Sequence, residues 1–354
     1  MQSNLRILKL NSLDELKNEF QNIGVDPAGF ELMASKGLQV NIKVKNLSVP
    51  AALILKQEML SLGGDCANHR MVLKNEVDSA DSILMGNAKI FQRLIPKLKN
   101  QPFGLKKLAD DFLDKDQAVK HAIQMQEDGA DIIDIGAEST RPGADPVPKQ
   151  EELDRLIPII EFLKKEVDIP VSVDTYKSDV AEEALKNGAN IINDISGLRF
   201  DPEMKNVLAK YNVPVILMHI KGEPKNMQTN PEYENLMDEI YEYLADSINL
   251  AETAGIKKEN IVVDPGIGFG KRLMDNYEII KRLSEFNSLG CPVLIGPSRK
   301  SFIGKVLDLP PQQRLEGTAA AITVAIQNGA HIIRVHDVKE MARVCRIGDL
   351  LAKR

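Results

Sequence analysis

PVSVDTYKSDVAEEALKNGANIINDI (170–195) reads as a strand, a helix and a second strand. Its ends, PVSVDT and NIINDI, are short apolar runs rich in Val and Ile, the pattern of strands buried on both faces. Each run stops at polar residues, Asp174 and Thr175 in one, Asn193 and Asp194 in the other. Between them KSDVAEEALKNG (177–188) carries apolar residues at helical spacing and stops at Gly188. Two strands joined by a helix of this length pair in parallel through a crossover.

The same unit recurs outward from this stretch. DIIDIG (131–136) precedes it, and PVILMH (214–219), IVVDPG (261–266), PVLIGP (292–297, leading into SRK) and HIIRVH (331–336) follow. Helical patterns fill the intervals: 116–129, 151–166, 201–212, 233–255, 276–290, 317–329 and 338–354. Parallel strands alternating with helices predict an α/β barrel whose polar strand ends converge on one pocket at the C-terminal face. Seven such runs are present, where a closed barrel has about eight strands. An open doubly wound sheet is the competing architecture. It carries a G-x-G-x-x-G turn after its first strand, and here the one glycine-rich turn, GIGFGK (266–271), follows the fifth run. That turn is no Walker A loop either.

Residues 1–105 read as a small α+β domain and residues 106–354 as the barrel. LQVNIKVKNL (38–47) alternates as a strand does, and VPAALILKQEMLSLGG (49–64) and IFQRLIPKLKN (90–100) have helical spacing. MVLKNEV (71–77) and SILMG (82–86) are candidate strands, and His69 reads as a surface residue. The net charge of −6 opposes a nucleic-acid partner, because phosphate backbones need a basic face. No run approaches about 18 consecutive apolar residues, so no membrane span is expected. The first 20 residues lack the apolar core of a secretory signal. Three widely spaced cysteines suit neither a disulfide framework nor a zinc site, so a cytoplasmic location is expected.

The strand ends carry the candidate chemistry. Asp174 could merely cap the next helix, Asn193 and Asp194 likewise, and Asp264 could belong to a turn. Two carboxylates and an amide converging on one axis suit a flat heterocycle rich in N–H donors, because a carboxylate pairs with an amidine-like edge in a dry pocket. Arg141, Arg299, Lys300, Arg334 and His336 gather cationic groups on the first and last strands, where such barrels bind phosphate. His219 reads equally as a buried hydrogen-bonding residue or a catalyst. No nucleophile elbow or metal-ligand spacing appears. The chemistry expected is the holding of two substrates and the stabilisation of a departing anion.

DIIDIGAESTRPGA (131–144), SVDT (172–175), INDISG (192–197), LMHIKGEPKNMQ (217–228), DPGIGFGK (264–271), SRKSFIG (298–304) and RVHD (334–337) resemble, in order, the motifs of the dihydropteroate synthase family. The resemblance implies a TIM-like (β/α)8 barrel that joins 4-aminobenzoate to a dihydropterin-methyl diphosphate, releasing pyrophosphate in folate biosynthesis. It implies that Asp174, Asn193, Asp264 and Lys300 hold the pterin, with Asp264 and Lys300 the catalytic pair and Met218 and Phe269 apolar walls. Thr140, Arg141, Arg334 and His336 would bind the diphosphate, and Ser301 would lie near the aminobenzoate. Mg²⁺ and a homodimer through the last helices are also implied. The family's reaction breaks the diphosphate bond ahead of attack, with the cationic methylene stabilised by the pterin ring.

One motif departs from the family. A first strand and loop like NVTPDSFSDGG, whose Asn ligates Mg²⁺, is absent, so the metal ligand is unassigned and the first barrel strand is incomplete or substituted. SILMG (82–86), ending at Asn87, is the candidate stand-in. The alternatives are a non-catalytic pterin-binding homologue without the Mg²⁺ and lid loop, and a pterin-dependent methyltransferase, which would not need the cationic SRK and RVH residues.

Overall fold

The computed structural model describes residues 13–23, 25, 33, 36, 37, 39–74 and 76–352. Residues 1–12 of the stretch expected to lack a signal lie outside them. The chain divides into two compact units, Met1–Ala118 and Val119–Arg354.

In the first unit, β1 (Gln39–Ser48) and β2 (Asp65–Asn68) both pair antiparallel with β3 (Ser79–Asn87). Helices α1 (Leu13–Asn22), α2 (Val49–Ser61) and α3 (Ala88–Leu98) belong to the same unit. Leu55, Met59, Leu84, Leu94 and Leu98 form the core under the sheet, each fully buried side chain contributing about 1.5–3 kcal/mol. SILMG is thus the middle of β3, held between β1 and β2, and not a barrel strand. Asn87 accepts from the N–H of Ile90 at 3.1 Å and caps α3. The candidate strand 71–77 is not one either: Arg70–Val72 is a 3₁₀ turn capped by the exposed His69.

Helix α4 (Leu105–Glu127) begins well before the expected 116 and runs without a break. Its Leu105 and Ala109 join the core of the first unit; its Val119 and Ala122 join a core with Ile133, Leu163 and Val171 in the second. Continuous helix therefore occupies the position where a strand and loop would lead into the first barrel helix. The expected division at residue 105 falls at the start of this helix, and the division into units falls inside it.

In the second unit β4 (Ile133–Gly136), β5 (Val171–Asp174), β6 (Ile191–Asp194), β7 (Val215–Met218) and β8 (Ile261–Asp264) form a parallel sheet in sequence order. Helices α5 (Lys149–Glu166), α6 (Ser178–Asn187), α7 (Met204–Tyr211) and α8 (Leu236–Thr253) connect them. Then come α9 (Leu273–Lys281), β9 (Leu294–Ile295), α10 (Ser301–Leu307), α11 (Leu315–Gln327), β10 (Ile332–Ile333) and α12 (Val338–Leu351). The helix expected over 276–290 ends at Lys281 and continues as a 3₁₀ segment, Leu283–Leu289. β9 joins β8 through a single bridge, Val263 to Val293, and β10 pairs with β9.

Strand alternation separates two layers. Val173, Ile192, Val215, Leu217, Ile261 and Val263 face the helices and pack against Leu156, Ile160, Val180, Leu208, Ile240 and Leu244. The register places Asp134 beside Ser172, Asp174 beside Asn193 and Met218 beside Asp264, all on the opposite, inner face. Seven strands make the barrel wall among the described residues. β4 and β10 are its edges, with no strand paired between them.

Candidate active site

The inner-face residues meet where the strands end. Arg334, one residue past β10, crosses the open seam: its Nε donates to Asp134 Oδ2 at 2.6 Å and its Nη2 to Asp174 Oδ2 at 3.0 Å. The Nδ2 of Asn193 lies 3.5 Å from the same Asp134 oxygen. Side-chain ion pairs thus span a gap that no backbone ladder closes among the described residues. The helix-capping role considered for Asp174 goes elsewhere: Asp201 accepts from the N–H of Ser178 at the start of α6, at 2.8 Å. Burial pushes the Asp174 carboxyl up from 3.8 to about 7, with Arg334 pulling the other way. Asp194 points to the helix face and is consumed locally by the N–H and hydroxyl of Ser196 and the N–H of Leu198.

On the next strands Asp264 is 7% exposed, and one of its oxygens accepts from the N–H of Gly266 at 2.7 Å, so the turn reading and a pocket position are both realised. Burial raises its pKa, opposed first by the Lys300 ammonium and then by the Gly266 N–H. Lys300 donates to the carbonyl of Ile267 and lies 4.7 Å from the centre of the Phe269 ring. Burial pushes Lys300 down from 10.5 to about 8, against the pull of Asp264. Phe269 and Met218 are buried together with Ile195, Ile220 and Met227, an apolar wall flanked by Tyr176 and Phe200. A flat ring bounded by that wall would meet a buried carboxylate, an amide and an ammonium, a set of donors and acceptors that suits the edge of a polar heterocycle.

The cationic set is only partly free. Arg299 grips Asp337 through Nε (2.9 Å) and Nη2, while its N–H donates to Thr318 and its carbonyl accepts from Arg314. It ties the loop after β9 to the start of α12, so its charge is already paired with a carboxylate. His336 Nδ1 lies 3.0 Å from the Ser298 hydroxyl, and burial followed by Arg299 and Arg334 lowers its pKa. Thr140 is half-buried, Arg141 and Ser301 are exposed, and Ser301 opens α10.

Six contributors escaped the sequence reading. Asp134 is the inner residue of DIIDIG, visible only as its alternation. Glu138 accepts from Tyr176 Oη (2.7 Å), Lys177 Nζ and the N–H of Val147 (3.0 Å), and so holds the loop that bears Thr140 and Arg141. Lys177 in turn reaches the buried Glu152 at 2.5 Å. Lys271 lies buried beneath the loop after β8, beside His219, which resolves the open reading of that histidine as a buried hydrogen-bonding residue. Ser298 orients His336. For the implied Mg²⁺, the described residues include no group of three or more His, Cys, Asp or Glu side chains placed to hold an ion; a magnesium ion held by substrate phosphates and one or two protein oxygens needs no such group.

The family model for pterin binding enzymes matches residues 107–336. A dihydropteroate synthase of Bacillus subtilis is 50% identical over 236 residues, covering 67% of this chain and 80% of that protein. A probable bifunctional folylpolyglutamate synthase/dihydropteroate synthase of Halobacterium salinarum is 36% identical over 381 residues. That match covers 96% of this chain, the first unit included, and 46% of the longer protein. A dihydropteroate synthase structure from Clostridium difficile, solved in the presence of pteroic acid, is 47% identical with a TM-score of 0.66. It covers 70% of this chain and 91% of that one. The order of the motifs, the converging inner-face residues and these likenesses agree: the chain belongs to the dihydropteroate synthase family of pterin-binding enzymes.

Proposed function

We propose that residues 106–354 condense 4-aminobenzoate with a (dihydropterin-6-yl)methyl diphosphate to give dihydropteroate and pyrophosphate. The observation that carries this is the buried Asp264 carboxylate set between Lys300 and the Met218–Phe269 wall. In this reading Asp264 accepts the paired N–H groups of the pterin's amidine-like edge, Asn193 and Asp174 hold its rim, and Lys300 donates to its carbonyl. A negative carboxylate against the ring favours positive charge on the methylene as the C–O bond to the diphosphate breaks. Arg334 and His336, with Thr140 and Arg141 on the loop that Glu138 holds, receive the leaving pyrophosphate, and Ser301 borders the aminobenzoate. The amine nitrogen then bonds to the methylene carbon and gives up a proton. Any Mg²⁺ enters as part of the diphosphate substrate.

We place the protein in the cytoplasm, a reading supported by three free cysteines and by the lack of any helix long and apolar enough to cross a membrane among the described residues. A homodimer through the last helices is supported by Ile347, Leu350 and Leu351, exposed on α12.

The continuous α4 favours a second reading, a barrel that binds pterin without turnover, since helix stands where the closing loop of the family would begin. Pyrophosphate release from the two substrates with added magnesium decides between them. Release that requires both substrates supports the synthase. Calorimetric pterin binding without release supports the second reading, and absence of both refutes the pterin site itself.

A further inference from the structure

The loop after β8 is wrapped around the lysine at its own end. Lys271 is 3% exposed, and its Nζ lies 3.0 Å from the carbonyl oxygen of Gly266, 2.9 Å from that of Phe269 and 2.8 Å from His219 Nδ1. Three partners saturate an amine nitrogen's hydrogen-bonding capacity. Two of them belong to the loop, and the third comes from the end of β7, so the lysine ties two strand ends together. The imidazole is held in turn: it is 3% exposed, its ring packs edge-on to Tyr243 at 4.6 Å, and its backbone N–H donates to the Asp264 carbonyl at 2.9 Å.

The backbone is shaped for this close approach. Gly266 and Gly270 have φ of +72° and +62°. A Cβ on Gly266 would sit 1.9 Å from the His219 carbonyl oxygen, and one on Gly270 would sit 2.4 Å from that of Lys221. Only glycine admits such contact in the left-handed region. The carbonyl of Ile267, between the two that Lys271 grips, accepts from Lys300 instead. One short loop is therefore clipped by two lysines. It starts at Asp264 and carries Phe269, the two residues that would face a pterin from this side.

We propose that Lys271, clasped to His219, is the positioning residue of the pterin half of the site, setting the course of residues 264–270 without touching substrate. The proposal deepens the functional reading above and rests on it for its ligand. It assigns Lys271 no proton transfer: the clasp holds whichever nitrogen carries the proton. It also predicts an asymmetry, because the diphosphate half, built from Arg334, His336 and the Glu138-held loop, shares no bond with the clasp.

The test compares two affinities in each of three variants, using 6-hydroxymethyl-7,8-dihydropterin and inorganic pyrophosphate as calorimetric probes. Lys271→Met and His219→Leu should each weaken dihydropterin binding by tenfold or more and leave pyrophosphate binding within twofold. His219→Asn, which keeps a polar atom near the place of Nδ1, should recover most of the lost affinity. Equal loss for both probes, no loss for either, or no recovery in His219→Asn would overturn the proposal. Hydrogen exchange in the ligand-free protein reads the clasp independently of the ligand. Amides 266–270 should exchange faster in His219→Leu than in wild type, with β4–β6 unchanged, and unchanged exchange in the loop also refutes the clasp. If wild type binds no pterin while the exchange pattern holds, the functional reading fails and the clasp stands. Should Lys271→Met fail to fold, the two His219 variants carry the comparison.

Discussion

The strands β5–β8 and the seam between β10 and β4 hold their site residues by different means. Each of β5–β8 is four residues long and hydrogen-bonded along both edges or to a bridging neighbour, so backbone register alone sets Asp174, Asn193, Met218 and Asp264 on the inner face. β9 and β10 have two residues each, and β4 has a partner on one side only. There the side chains do the joining, Arg334 to Asp134 and Asp174, and Arg299 to Asp337. The arginines that sequence reading assigned to an anion are partly occupied with keeping the wall together. A site can therefore be robust on one side, where ladders fix it, and conditional on the other, where charges do.

Three changes would break or sharpen this contrast. The largest effect is expected from Asp264→Ala on the ladder-held side. Pterin affinity measured by calorimetry should fall at least about a hundredfold, near 3 kcal/mol, with unfolding free energy little changed because the ladder remains. Retained affinity would remove Asp264 from the site. Next, Arg334→Met strips both seam carboxylates of their cation. Urea unfolding should show a loss of roughly 1–3 kcal/mol, below the value for a fully buried pair because the arginine side chain is 42% exposed. No loss would mean that the seam does not depend on the pair.

The smallest effect is a pH dependence. Asp174 titrates at about 7 in the fold against an ordinary 3.8, so between those values the folded chain keeps a proton that the unfolded chain has released. Stability from this group is therefore present at the acid end and is lost as pH rises through that window. Asp174→Asn should flatten this decline and leave the protein about 1 kcal/mol more stable above neutrality, after the lost bond to Arg334 is offset. A steeper decline in the variant would reverse the assignment.

How much of this was legible beforehand varies along the chain for physical reasons. The strands of the barrel were readable because burial on both faces leaves a Val- and Ile-rich run that few other structures need. SILMG reads as a strand of the first unit and also as a stand-in for the missing barrel strand because the same composition serves both, and only pairing, here with β1 and β2, distinguishes the two. The length of α4 was hidden because its middle, DDFLDK (110–115), looks like a link between two units yet contains nothing that stops a helix. Arg299 and Arg334 were visible as charges, but their partners lie 38 and up to 200 residues away in the chain.

Spacing and residue type determined the alternation of strand and helix and the motif order that marks the family. These follow from local periodicity, which any window of the chain carries. Tertiary structure decided which cations are already neutralised, that a seven-stranded wall is joined across its seam by Arg334, and that Lys271 lies under its own loop with His219. Those outcomes depend on distance and burial between residues remote in sequence, which periodicity does not encode.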